Sequence, residues 1–282
     1  MELRFFNQFI NKIFHTLTRS DNNSFLKSMI KLIKALYNVD NIIIRNFRNE
    51  IIRVFFTNIH WWKISHSSYN QVEHQFINYI REYISYPKII LELGSLDAIQ
   101  SIEFSILFPK AQIFAFECNP SSIKKCLENT ANLKNIEVVP KAVHNKNERV
   151  KFYPVVTNIG ASSLYKVSSN YRTIETLIQE EISVEATRID TWASDKGINQ
   201  IDLCWMDLQG AEYYVLEGMG DLLFTVQAIY LEVEHQELYN NQKLYEDIIE
   251  FLKQKNFSLI KYLPTKPSWW GNAIFLNNNL KK

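Results

Sequence analysis

The sequence predicts an α/β fold: a doubly wound, mostly parallel sheet of seven strands with an antiparallel hairpin at one edge, preceded by a helical extension. Three observations carry this. From Lys88 onward, short apolar runs alternate with amphipathic stretches, the pattern of parallel strands joined by helical crossovers. The last two apolar runs are separated only by a loop containing Pro264 and Pro267, which makes them a hairpin. The front of the chain has helical rather than strand periodicity.

Taken in order, "KIILEL" (88–93) is a strand and 99–108 a helix. "QIFAFE" (112–117) is the next strand, and 121–133 a helix opened by Pro120 near its first turn. "IEVVP" (136–140) follows as a strand. Later come "IDLCWM" (201–206) with a helix at 211–219, "AIYLEV" (228–233) with a helix at 242–255, and the hairpin of "FSLIKY" (257–262) and "GNAIFLN" (271–277). Residues 148–190 interrupt the rhythm. There "RVKFYPV" and "ISVEATRI" resemble strands flanking "TNIGASSLYKVSSNYR", which is too long for an ordinary connection. It is either a lid or specificity element or a disordered insertion, with Ser162 and Ser163 as candidate acceptor-side contacts.

The chain divides into a helical extension, residues 1–75, and a main domain, residues 76–282. Leu3, Phe6, Ile10, Ile13 and Leu17 form one helical stripe, and Phe25, Met29, Leu32, Ile33 and Leu36 another, after Ser24 as N-cap. The extension is either a cap docked on the main domain or a basic amphipathic surface that touches a membrane or protein partner. It carries ten Lys/Arg against five Asp/Glu, out of 31 and 30 in the whole chain, so a mildly basic front precedes a mildly acidic body. A hydrophobic content of 46% excludes a disordered protein, and a net charge of +1 gives no reason to expect nucleic acid. Asn7, Gln8, Asn11 and Lys12 spoil a secretory leader, and no uncharged apolar run approaches the ~18 residues of a membrane span. Cys118, Cys126 and Cys204 have no zinc spacing and are odd in number, which fits a reducing, cytoplasmic setting.

In open α/β sheets ligands bind beyond the carboxyl ends of the strands, where strand order reverses. "LELGSLDAIQS" (91–101) is the first such turn. Gly94 lets backbone approach a ligand closely, and Ser95 follows it. A dinucleotide fingerprint from Gly94 would need glycine at Leu96 and Ile99, and a phosphate loop would need Lys followed by Ser or Thr. Nicotinamide dinucleotides and ATP therefore drop in rank, leaving a nucleoside without phosphate at this point. Glu117, 23 residues after Gly94, stands close to the ~20-residue offset at which an acid meets a ribose diol.

"WMDLQGAEYYVLEGM" (205–219) breaks from a buried strand into Asp207, Gln209, Gly210 and Glu212 before turning helical. Burying acids there costs stability unless they have work to do. Gly210 permits a sharp turn. Glu212, in the first helical turn, suits the helix dipole as a cap or serves the site. In "LEVEHQELY", Glu232 and Glu234 share one strand face and His235 the other. His235 is a candidate general base or else a satisfied surface histidine. Nothing nearby completes a metal set.

Together with "VVPKAV" and "IYLEVEHQELY", these segments stand in the order and spacing of the FkbM family of S-adenosylmethionine-dependent methyltransferases, which the chain resembles over roughly residues 70–278, most specifically in "MDLQGAE…VLEGM". The resemblance implies a class I, Rossmann-like fold, S-adenosylmethionine as cofactor, and O-methylation of a sugar, glycan or other small-molecule hydroxyl. It also implies that Asp207 lines the methyl-transfer site, either orienting the acceptor hydroxyl or binding the methionine amine. Ala142 and Val143 would flank adenine. Glu92 would hold the methionyl part or be a plain buried, paired carboxylate. Asp97 and Ala98 stand where such families usually have glycine or a second small residue. The rivals are a Rossmann-like binding module without turnover and a scaffold whose helical front is the working part.

Overall fold

The computed structural model describes residues 76–280 apart from 78, 172–175 and 266–268. The extension expected at 1–75 lies outside the described residues.

The main sheet has seven strands: β1 (Ile89–Leu93), β2 (Gln112–Phe116), β3 (Ile136–Val139), β7 (Leu203–Met206), β8 (Ala228–Glu234), β9 (Phe257–Pro264) and β10 (Trp270–Asn277). Their spatial order is β3-β2-β1-β7-β8-β10-β9. All neighbours are parallel except β10, which is antiparallel to both β8 and β9. Numbered within this sheet alone the order is 3-2-1-4-5-7-6, a Rossmann-like sheet closed by an antiparallel hairpin strand, as the sequence predicts. The order reverses between β1 and β7, which defines the crevice.

Helices cover both faces. α1 (Ile99–Leu107) and α2 (Pro120–Thr130) pack on one; α3 (Ile189–Asp195), α4 (Glu212–Gly218) and α5 (Tyr245–Gln254) pack on the other. Strict alternation decides the division. Leu91, Leu93, Cys204, Met206, Ile229, Leu231 and Val233 enter one core with Trp192, Val215, Leu216, Ile248 and Leu252. Burying each such aliphatic side chain is worth roughly 1.5–3 kcal/mol, and together they hold three helices on that face. On the other face Trp205 stacks on Tyr230 at 3.5 Å, and Phe104 of α1 and Phe76 meet that pair edge-on.

Two details depart from the sequence expectation. The strand expected from 201 begins at Leu203, because Asp202 turns its carboxylate back to accept the Lys88 and Ile89 N–H groups at 2.7 and 2.9 Å. The interrupting segment builds a second sheet of β4 (Ala142–Val143), β5 (Arg149–Phe152) and β6 (Ile182–Thr187), in the order β4-β6-β5. Between β5 and β6, residues 159–171 fold back onto the loop after β8. Ser168 N–H bonds to Leu238 O at 2.8 Å, Asn240 N–H to Lys166 O at 2.9 Å, and Val167 bridges Tyr239.

Candidate active site

The crevice is set by a close approach of backbone. Gly94 leaves β1 at φ +85°, and a Cβ placed there would overlap the Asp207 carbonyl oxygen and lie 2.9 Å from its carbonyl carbon. Only glycine lets the ends of β1 and β7 touch in this way. The turn then runs through two further left-handed residues, Leu96 at φ 51° and Ala98 at φ 61°. Such a conformation costs a residue with a Cβ about 1–2 kcal/mol, so the surroundings must hold it. Glu117 supplies part of the grip: its Oε2 accepts from Leu96 N–H at 2.7 Å, while Oε1 accepts from Cys118 and Asn119 N–H, both at 2.8 Å. Of the four acceptor positions of a carboxylate, these bonds take three and leave one on Oε2.

Glu92 is buried behind this loop. Its Oε2 accepts from the backbone N–H of Ser101 at 2.9 Å and from the Ser101 hydroxyl, in the first turn of α1. Ala98, the N-cap of α1, offers no side-chain bond, so a carboxyl from the neighbouring strand takes over the capping. Burial pushes Glu92 up to about 8, with the Asp97 and Glu117 charges adding to the rise. Ser95 is buried, donating its N–H to Phe116 O at 2.9 Å and its hydroxyl to Glu92 O at 3.3 Å. Glu117 acts electrostatically on Glu92, and Asp207 on Glu117, whose carboxyl burial drives upward.

On the far side of the crevice Asp207 follows β7, with its Oδ1 accepting from Gln209 Nε2 at 2.6 Å. The Gln209 Oε1 in turn accepts from Tyr239 Oη at 2.6 Å, and the Ser163 hydroxyl donates to Gln209 O at 2.7 Å. Ser163 thus ties the 159–171 segment to this turn, while the Ser162 hydroxyl accepts from Val155 N–H. Glu212 is fully buried, accepting from Leu208 N–H at 2.7 Å and Gly210 N–H at 3.0 Å, so it stabilises the turn that presents Asp207. Burial lifts it to about 7.

The remaining expected residues lie apart from this line. Ala142 pairs with Ala186 and packs with Phe152 and Val184, with Cys118 alongside, so it stands next to the end of β2. Val143 belongs to the main core. His235 turns away from Glu234, as alternation requires, and bonds through Nε2 to Tyr262, with Tyr245 at 4.7 Å between ring centroids and its Nδ1 4.0 Å from Glu246. Sequence reasoning gave no role to Gln242, Tyr239 or Glu234. The visible signal was that β8 carries glutamate at successive inward positions of an otherwise apolar strand. No group of three or more His, Cys, Asp or Glu among the described residues is arranged to hold a metal ion.

Residues 97–259 match the model of the methyltransferase FkbM domain. The chain belongs to the FkbM methyltransferase family. Its activity is methyl transfer, and a relative, the 2-O-methyltransferase NoeI of Sinorhizobium fredii (strain NBRC 101917 / NGR234), is 34% identical over 200 residues, covering 68% of this chain and 80% of that protein. Among solved structures, an rRNA methylase from Streptococcus thermophilus covers 72% of this chain and 95% of its own at 10% identity, with a TM-score of 0.44. Aeropyrum pernix fibrillarin, in complex with natively bound S-adenosyl-L-methionine, covers 68% and 67% at 11% identity, with a TM-score of 0.42. Neither bears on the acceptor of this FkbM protein.

Proposed function

We propose that this FkbM protein transfers the methyl group of S-adenosylmethionine to a hydroxyl of a sugar, glycan or other small-molecule acceptor, and that residues 76–282 are the working domain. The observation that carries the reading is Glu117, preorganised by three backbone N–H groups at the end of β2 with one acceptor position left for a ribose hydroxyl. Gly94 beside it lets the ends of β1 and β7 meet, Ser95 and Glu92 brace the loop, and Ala142, packed beside Cys118 just after β2, with Val143 next to it in the chain, would flank adenine. Asp207 and the buried acids around it complement a cationic ligand, whose charge favours their ionised forms. The hydroxylated acceptor is supported by the name of the NoeI relative.

The cofactor, when bound, supplies a methyl group on a sulfonium, already a good leaving group. What remains for the chain is to align the acceptor oxygen with that carbon and keep water out, the proximity contribution to rate. The lid segment, pinned to the Gln209 turn through Ser163 and Tyr239, is placed to do so.

Calorimetric titration with S-adenosylhomocysteine tests the cofactor site. Wild type should bind, and Glu117→Ala should bind at least tenfold more weakly, since a charge-assisted hydrogen bond to a hydroxyl is worth about 1.5–3 kcal/mol. A silent titration with wild type would remove the reading. Deleting residues 1–75 should leave the affinity within about threefold if 76–282 is autonomous; a larger loss would mean that the extension completes the site.

A further inference from the structure

A polar group beside Asp207 is left without a partner. Glu234 ends β8, is 1% exposed, and neither carboxyl oxygen makes a hydrogen bond. Gln242, 7% exposed, uses its Oε1 to accept from Leu238 and Tyr239 N–H at 2.7 and 2.5 Å, but its Nε2 is also unbonded. That amide lies near enough to Glu234 to pull its pKa down as a hydrogen-bond donor does, against the upward push of burial, but stops short of good hydrogen-bond geometry. Buried carboxyls and amides in folded proteins are nearly always bonded, so an adjacent orphan acceptor and orphan donor describe a place prepared for a third group. A hydroxyl, which both donates and accepts, matches it.

The position within the sheet says which hydroxyl. Along the carboxyl edge the strands run β2, β1, β7, β8. Glu117 ends the first, Gly94 the second, and Asp207 follows the third. Leu231 pairs with Met206, so Glu234 stands three residues farther along β8, past Asp207 and on the same face as Glu232. If the nucleoside lies at β2 and β1, the next place beyond Asp207 belongs to the acceptor. Aromatic side chains Tyr171, Tyr239 and Trp270 pack together beside it with Val167 and Leu238. Such rings suit the C–H face of a pyranose.

We propose that Glu234, with the Gln242 amide, binds one ring hydroxyl of a pyranoside acceptor and takes its proton during transfer. The inference rests on the cofactor reading above. The acceptor O–H bond breaks and its proton passes to a Glu234 oxygen. The acceptor oxygen forms its bond to the methyl carbon, and the electron pair of the broken carbon–sulfur bond stays on the donor's sulfur. The Gln242 N–H donates to the same acceptor oxygen and fixes its direction.

The groups around Glu234 agree with this use. Glu212 on α4, Asp207 after β7, Glu232 on β8, Tyr171 in the lid and Tyr239 in the loop after β8 all interact with it electrostatically or share its surroundings. Burial first, then the Glu212 and Asp207 charges, hold its carboxyl well above the ordinary range. As a base it acts only when ionised, so transfer should rise with pH through its pKa.

Three measurements on the full chain test the proposal. In calorimetry with S-adenosylhomocysteine, Glu234→Gln should bind within threefold of wild type; a tenfold loss would place Glu234 in the cofactor site instead. Saturation-transfer NMR on the homocysteine-loaded protein uses methyl glycosides of common hexoses and 6-deoxyhexoses as probes. Wild type should saturate at least one, and Glu234→Leu should lose the signal. With radiolabelled methyl donor and that probe, wild-type transfer should climb about tenfold per pH unit below the pKa. Glu234→Gln should transfer at least a hundredfold more slowly than wild type above that pKa and lose the wild-type rise with pH, and Glu234→Asp should recover part of the rate. If wild type binds S-adenosylhomocysteine but no pyranoside, or if Glu234→Gln keeps the wild-type rate and pH profile, the proposal is overturned. If wild type does not bind S-adenosylhomocysteine, the failure lies in the cofactor reading.

Discussion

The two halves of the crevice are built on opposite principles. Around β1 and β2 the acids have settled partners: Glu92 caps α1 through Ser101, and Glu117 gathers three backbone N–H groups. Across the reversal point, Glu212 is equally well satisfied, but beyond it neither Glu234 carboxyl oxygen nor the Gln242 Nε2 completes a hydrogen bond. On the proposed reading the first half is the cofactor side, with its polar groups already held by the chain. On the same reading the second half, with unbonded polar atoms at Glu234 and Gln242, is the acceptor side. Binding strength is therefore expected to concentrate on the β1–β2 side, and selectivity on the β7–β8 side.

The largest effect should come from Gly94→Ala, which forces a Cβ into the Asp207 carbonyl at a positive φ and pushes the halves apart. We expect a loss of about 3 kcal/mol or more in chemical denaturation, with S-adenosylhomocysteine binding abolished. If this variant keeps normal affinity, the contact between the halves does not shape the site.

Next is pH. Burial pushes Glu92 up to about 8 and Glu212 up to about 7 from an ordinary 4.5, so folding raises both. The protonated forms favour the fold, and their contribution is full below about pH 4.5 and is lost as pH rises through 7 and 8. Each group should cost up to about 1.4 kcal/mol per pH unit across that window. Calorimetric melting should therefore give a Tm that falls from pH 5 to pH 8, and Glu234→Gln should make the fall shallower. A flat profile would mean that these carboxyls are open to water.

The smallest effect distinguishes the loop itself. Leu96 is exposed and left-handed, so Leu96→Gly should stabilise the chain by up to about 1 kcal/mol, read as a higher denaturation midpoint. An unchanged midpoint would indicate that the Glu117 bond offsets the strain fully.

Alternation of apolar runs was enough to read the seven-stranded sheet, because parallel strands buried on both faces leave a dense signal. The 23-residue offset from Gly94 to Glu117 and the acid ending β7 were equally legible, since chemistry at strand ends interrupts an apolar pattern. Other features were not. α3 is only seven residues long, and its identity rests on Trp192 packing edge-on to Phe114 and Phe116, a tertiary fact. The glycine-poor loop looked like a weakness until Leu96 and Ala98 proved to take glycine-like conformations under the hold of Glu117. Glu212 and Glu234 are indistinguishable as letters; one completes two hydrogen bonds to backbone N–H groups and the other completes none. Such a difference belongs to three-dimensional neighbours, and no spacing rule reveals it.

Strand β1 has a temporal consequence. It lies between β2, which follows it within some twenty residues, and β7, whose first pairing residue is Leu203, partner of Ile90. During synthesis β1 can acquire one neighbour early but must wait for more than a hundred further residues before the other emerges from the ribosome, with the whole second sheet made in between. Until then one flank of the innermost strand is an open ladder of peptide groups, and Asp202, which fastens the Lys88 and Ile89 amides, has not yet been translated. The nascent chain is most exposed to mispairing in that interval, and slowing translation between residues 148 and 200 should lower the yield of native protein more than slowing it after residue 240.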